Sequence, residues 1–167
     1  MFNDTAIQRA AGKNHIRIVE YLSKFNSVTK DMLNGESYLH WASLNGHVNF
    51  ANYIIEKGGQ INLINTNGDT PLHLAALNGH LDVIDVLIKH GGYINGINKN
   101  GESPIFYAIS NNHFEIVKHL VSCGANILIH NNEGKNLIHI ASERDQPSIF
   151  SYLIKQGIEI NLKDSNS

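Results

Sequence analysis

A chain of 167 residues with 42% hydrophobic and 17% charged side chains is not disordered by composition, and its charge content is below ordinary usage. Thirteen Lys and Arg against fifteen Asp and Glu give a net charge of -2, which argues against a nucleic-acid partner. No apolar run approaches the ~18–20 residues of a membrane span, and Met1-Phe2-Asn3-Asp4-Thr5 lacks the basic and apolar blocks of a secretory signal. Direct membrane insertion is not expected. The one cysteine, Cys123, cannot form an internal disulfide, so a cytoplasmic or other intracellular location is expected.

The chain repeats itself. Gly35, Gly68, Gly101 and Gly134 are each 33 residues apart, and Ala42, Ala75, Ala108 and Ala141 keep the same step. Such a period marks one supersecondary unit copied along the chain. In chain order, the first unit falls near residues 3–34 and is one residue short, with Thr5 to Ala11 where later units have a first helix. Its Ile18 and Leu22 match Val83 and Leu87. Gln8 and Arg9 stand where His73 and Leu74 stand, and such polar replacement predicts an N-terminal cap. The second unit, 35–67, carries Tyr38-Leu39-His40-Trp41-Ala42-Ser43.

The third unit, 68–100, is the clearest copy. Thr70 is an N-cap, Pro71 fits the first helical position, and Leu72, Leu74, Ala75 and Ala76 build a short helix that Gly79 ends. Leu81, Ile84, Leu87 and Ile88 then recur at helical spacing, with Lys89 and His90 in the last turn and Gly91 as the stop. Asn100-Gly101 predicts the turn into the fourth unit, 101–133, which contains Ser103-Pro104-Ile105-Phe106-Tyr107-Ala108. The fifth unit, 134–166, keeps Leu137, Ile138, Ile140, Ile149, Phe150, Leu153 and Ile154. Its Arg144-Asp145-Gln146-Pro147 replaces the usual Gly-His turn, and no polar replacement marks it as a cap. Either the array continues, or its end is covered by a partner or a second copy.

These units resemble ankyrin repeats, most closely at Gly68-Asp69-Thr70-Pro71-Leu72-His73-Leu74-Ala75-Ala76-Leu77-Asn78-Gly79-His80. The resemblance covers nearly the whole chain. It implies an all-α solenoid of helix–turn–helix units with projecting β-hairpin loops, in which each unit buries its apolar faces on its neighbours. It also implies that His40, His73 and His139 are structural, hydrogen-bonding within and between repeats, and that His15, His47, His80 and His113 belong to the helix-joining turn.

Ten histidines invite a metal reading, but same-position residues on neighbouring repeats lie about 10 Å apart, too far to share one zinc. No metal and no cofactor is expected. Cys123 and His119 stand four apart on a predicted helix, as a Cys–His nucleophile would, yet Cys123 falls at the C-terminal end, where the dipole disfavours a thiolate. Neither Gly91-Gly92-Tyr93-Ile94-Asn95-Gly96 nor Gly12-Lys13-Asn14 fits a phosphate loop. Asn3-Asp4-Thr5 matches a glycosylation acceptor only formally. Trp41 and Tyr107 share the Leu74 position, which assigns them to packing between repeats. No catalytic constellation emerges, so no enzyme activity is expected.

The resemblance implies binding of a protein partner on a concave surface of loop tips and first helices. The family's contact positions fall on Glu36, Asp69, Glu102 and Lys135 in the loops. At the first-helix ends they fall on Leu44, Asn45, Leu77, Asn78, Ser110, Asn111, Glu143 and Arg144. Asn34, Asn67, Asn100 and Glu133 precede the repeat glycines. Leu44 and Leu77 beside the acidic line Glu36, Asp69 and Glu102 predict a partner segment with an apolar anchor and Lys or Arg. Self-association through the uncapped C-terminal repeat is a further route. Alternative settings are the substrate-recruiting domain of a larger enzyme, since some palmitoyltransferases carry a tetrapeptide like Leu39-His40-Trp41-Ala42, or a microbial effector, suggested by the 22 asparagines. The spacings Leu87 to Asn95 and Leu153 to Asn161 resemble those of ankyrin substrates of an asparaginyl hydroxylase.

Overall fold

The computed structural model describes residues 6–25 and 36–159. Among these residues ten helices alternate between a short first helix and a second helix in each repeat. They are α1 (Ala6–Gly12), α2 (Ile16–Ser23), α3 (Tyr38–Leu44), α4 (Val48–Glu56), α5 (Pro71–Leu77), α6 (Leu81–Lys89), α7 (Pro104–Ser110), α8 (Phe114–Ser122), α9 (Leu137–Glu143) and α10 (Pro147–Lys155). Each first helix packs on the second helix of its own repeat. The helices α3, α5, α7 and α9 stand side by side as one layer, and α2, α4 and α6 continue a second layer that α8 and α10 complete. Ala42, Ala75, Ala108 and Ala141 are fully buried where the layers meet, because only a methyl group lets the helices approach so closely. No helix among the described residues is long and apolar enough to cross a membrane.

Local chemistry sets the helix starts. Ser37, Thr70, Ser103 and Asn136 are N-caps in extended conformation, and Pro71 and Pro104 fill the next position, where no N–H is needed. Between the two helices of a repeat, one residue turns left-handed. Gly46 and Gly79 take this role with φ of 70° and 74°, and Asn112 and Asp145 take it with φ of 58° and 51°. Arg144-Asp145-Gln146-Pro147 replaces the Gly-His turn in residue type, yet the backbone there keeps the same geometry. Gln146 does the work of His80 and His113, donating from Nε2 to Ile109 O at 2.7 Å.

The expected β-hairpins are reduced to closed turns. Among the described residues no strand forms, and the one bridge pairs His130 with Asn136. Each turn is closed by a backbone bond: Asn65 N to Asp69 O at 3.0 Å, Asn98 N to Glu102 O at 2.9 Å and Asn131 N to Lys135 O at 2.9 Å. The side-chain oxygens of Asn65, Asn98 and Asn131 each accept two further backbone N–H groups. A loop satisfied by its own side chain has no need of a ladder. Neighbouring turns are tied tip to tip by Lys99 N to Asn67 O at 3.0 Å and Asn132 N to Asn100 O at 2.8 Å.

The exposure of two residues at the ends of the array is set by their place in it. Gln8, read as a polar capping residue, is 3% exposed, because it occupies the position from which His40 and His73 reach the next repeat. Arg9 is exposed. The residues of the first unit at 1–5 and 26–35, including the formal glycosylation acceptor and Asn34, lie outside the described residues, as does Gly35. At the other end the serine at the equivalent position of the last repeat, Ser142, is the residue type of Ser43. Ser142 is exposed where Ser43, Ala76 and Ile109 are fully buried by the repeat that follows each of them.

Candidate functional site

The position shared by His40, His73 and His139 shows how the repeat is wired. Ser37 N–H donates to His40 Nδ1 at 3.0 Å, and Thr70 N–H and Asn136 N–H donate to His73 and His139 Nδ1 at 3.1 Å. An Nδ1 that accepts carries no proton, so the proton sits on Nε2. That Nε2–H reaches the next repeat: His40 donates to Asp69 O and His73 to Glu102 O, both at 3.0 Å. Burial holds His73 below the ordinary histidine range, against the smaller upward pull of the Glu102 carbonyl and of Asp69. The second histidine position works at the helix-joining turn, where His80 donates to Leu44 O at 3.1 Å and His113 to Leu77 O at 3.0 Å.

The remaining histidines have plain partners. His90 Nδ1 donates to Val86 O at 2.8 Å at the end of α6. His130 lies in the bridge to Asn136. His119 Nε2 lies 2.6 Å from Asp85 Oδ1 and 3.7 Å from Cys123 Sγ. One nitrogen therefore faces both groups, whereas a nucleophile relay needs the thiol on one ring nitrogen and the carboxylate on the other. Cys123 also caps the C-terminus of α8. Among the described residues no group of three or more His, Cys, Asp or Glu is placed to hold a metal ion.

The twelve candidate contact residues divide three ways. Asp69 does not belong to an open acidic line. It is 2% exposed, and its Oδ1 accepts from Tyr107 Oη at 2.8 Å and Asn98 Nδ2 at 2.9 Å. Tyr107, on α7 of the next repeat, thus locks a buried carboxylate across the interface. Burial, followed by the Asp69 carboxylate, raises its phenol well above the usual range. A loop position rich in charge reads as a tip from sequence, but here the Asn98 and Tyr107 donors draw the side chain inward.

Glu36, Leu44, Leu77, Glu102, Ser110 and Lys135 are half-buried. Burial raises the Glu36 carboxyl above its usual range. Lys135 is raised by its bond to Glu143 and then by Glu133, with Nζ 2.9 Å from Glu143 Oε1 and 3.3 Å from Glu133 Oε2. Asn45, Asn78, Asn111, Glu143 and Arg144 are exposed. Asn45 and Asn111 turn their amide N–H back onto Trp41 O and Tyr107 O, and Asn78 donates to Leu44 O of the preceding repeat at 2.6 Å. Trp41 lies tilted at 46° against the His47 ring, at 4.8 Å between centroids.

Sequence reasoning missed Ile64 and Ile97, exposed apolar side chains immediately before the turn asparagines Asn65 and Asn98. Their 33-residue separation was the available signal. Of the two asparagines with hydroxylase-like spacing, Asn161 lies outside the described residues. Asn95 has both ends of its amide engaged, by Asn126 N–H at 2.7 Å and Gly124 O at 3.1 Å.

The family model described as ankyrin repeats (3 copies) matches residues 2–65, 58–131 and 93–164. The chain belongs to the ankyrin repeat family. Ankyrin repeats are generally protein-interaction modules and are typically non-catalytic, and the histidine wiring above is how this ankyrin chain joins one repeat to the next. No curated protein matches the chain.

Proposed function

We propose that this ankyrin chain is a non-catalytic module that binds a partner protein through the concave groove formed by its loop turns and first helices. The observation that carries the reading is the pair Leu44 and Leu77. They occupy one helix-end position in adjacent repeats, and both are only partly buried. Their backbone is fixed from the next repeat, Leu44 O by Asn78 and His80 and Leu77 O by His113. Apolar side chains on a fixed backbone lose little freedom when a partner covers them.

Exposed Asn45, Asn78 and Asn111 with half-buried Ser110 supply a polar rim, and Glu36 and Glu102 supply negative charge. This chemistry supports a partner segment with an apolar anchor flanked by Lys or Arg, in which the anchor provides affinity and the charges steer approach. The test compares capture of interacting proteins by the chain and by a Leu44→Asp/Leu77→Asp variant of matching circular dichroism. The expected result is loss of the captured set by at least about tenfold, the scale of one anchor worth ~1.4 kcal/mol. Unchanged capture by the folded variant rejects the groove.

A further inference from the structure

The leading face of each repeat can be read from contacts that cross to the repeat before it. Tyr53 Oη lies 2.7 Å from Ser23 Oγ, His119 meets Asp85, and Tyr152 packs edge-on against Phe114 with ring centroids 5.6 Å apart. Tyr53, His119 and Tyr152 share one position on the second helix, and each reaches back to the preceding repeat. In the first repeat this position holds Tyr21, 61% exposed. One turn earlier, Phe50, Val83, Ile116 and Ile149 are at most 3% exposed, yet Ile18 in their place is 50% exposed. Phe25 lies edge-on to Tyr21 and is exposed as well. The first repeat therefore presents an apolar face with the pattern that elsewhere receives a repeat.

The surface such a face receives is also defined. Ser23, Asp85 and Phe114 are the residues it touches, and their counterparts on α10 are Ile154, Ser151 and Pro147. Pro147 and Ser151 are exposed, Ile154 is partly buried, and none is charged. We propose that the chain self-associates head to tail, with Ile18, Tyr21 and Phe25 of one copy seated on Pro147, Ser151 and Ile154 of a second copy.

Charge favours this orientation. Residues 1–34 carry five Lys or Arg against three Asp or Glu, and the rest of the chain carries eight against twelve. The acidic excess lies in residues 35–133, and the receiving repeat, 134–167, carries four against four, so charge repels two leading ends and leaves the head-to-tail contact unopposed. The contact uses two different faces, so each added copy leaves one of each open and assembly grows with concentration.

Sedimentation velocity over a wide concentration range at low salt tests this, with variants at exposed positions checked by circular dichroism. The wild-type chain is expected to rise from one chain mass to two and beyond. Tyr21→Asp and Ser151→Arg are each expected to stay monomeric alone. Their equimolar mixture is expected to form a heterodimer that stops at two copies, since it contains one intact pair of faces. A wild-type chain that stays monomeric throughout overturns the proposal. So does a Ser151→Arg chain that associates as well as wild type, which would indicate contact between two leading faces. Should either variant fail to fold, Phe25→Asp and Pro147→Arg probe the same two faces with the same expected outcomes.

Discussion

At the residue scale, a histidine three positions after the N-cap replaces the carboxylate that ordinarily closes a capping box. The imidazole gains by this, because its second nitrogen is free to donate to the neighbouring repeat. The fourth repeat supplies an internal control. Phe106 holds the histidine position there, and the buried Ser103 Oγ has no hydrogen-bond partner among the described residues. Ser37→Ala is therefore expected to cost about 1 kcal/mol or more, the usual worth of a cap. Ser103→Ala should be near neutral, since a buried unpaired hydroxyl contributes nothing. Urea denaturation of both variants decides it, and equal losses would count against the account.

The same histidine gives stability a pH dependence. His73 is neutral in the folded chain and held below the ordinary range, chiefly by burial, and burial with the nearby His80 does the same to His47. The unfolded chain takes up these protons as pH falls through about 6.5, and the folded chain resists. Stability is therefore expected to be full above that pH and to decline below it. A urea midpoint measured against pH should show the decline, and His73→Gln should flatten it. The histidine positions were legible because they recur every 33 residues. Their tautomer was not, because it follows from which ring nitrogen faces the N-cap N–H and which faces a carbonyl some 29 residues away, and only the fold sets that.

At the scale of the element, the turn between the two helices of each repeat requires a left-handed residue. A Cβ on Gly79 would lie 2.8 Å from His113 Nδ1, so Gly79→Ala adds a clash to the conformational cost. A loss of about 2 kcal/mol is expected. Asp145 holds the same conformation at φ 51° without being glycine. Asp145→Gly is expected to raise stability by up to about 1 kcal/mol, and thermal melts of the two variants should move in opposite directions. Helix starts and stops were readable from Thr70, Pro71 and Gly79, since caps depend on local chemistry. The turns were less so. Asn65, Asn98 and Asn131 look like ordinary polar loop residues until their side chains are seen closing the backbone, and Asp69 looks exposed until Tyr107 is seen covering it from the next repeat.

At the scale of the whole molecule, stability is held by contacts between nearest neighbours. The bond from Tyr107 to Asp69 is a test of one junction, between the third and fourth repeats. Tyr107→Phe removes one donor from a buried carboxylate, and Tyr107 is half-buried, so about 1.5 kcal/mol is expected, the low end for a bond to a charged group. A shallower denaturant slope should accompany it if the junction begins to part before the repeats melt. The repeat number and the order of helices followed directly from the period. The exposure at the two ends did not, because Ile18 and Ser142 have the same residue types as the buried Ile116 and Ser43, and a pattern of residue types does not record burial.

The tip-to-tip row has a consequence for how such a chain can change. Lys99 and Asn132 join the preceding turns through backbone N–H groups, and each turn is shaped by one asparagine. Thr66 and Lys99 therefore stand on a scaffold that asks nothing of their side chains. Substitutions there can accumulate without unfolding the molecule, so the surface is free to drift toward new partners while the frame beneath it is inherited unchanged.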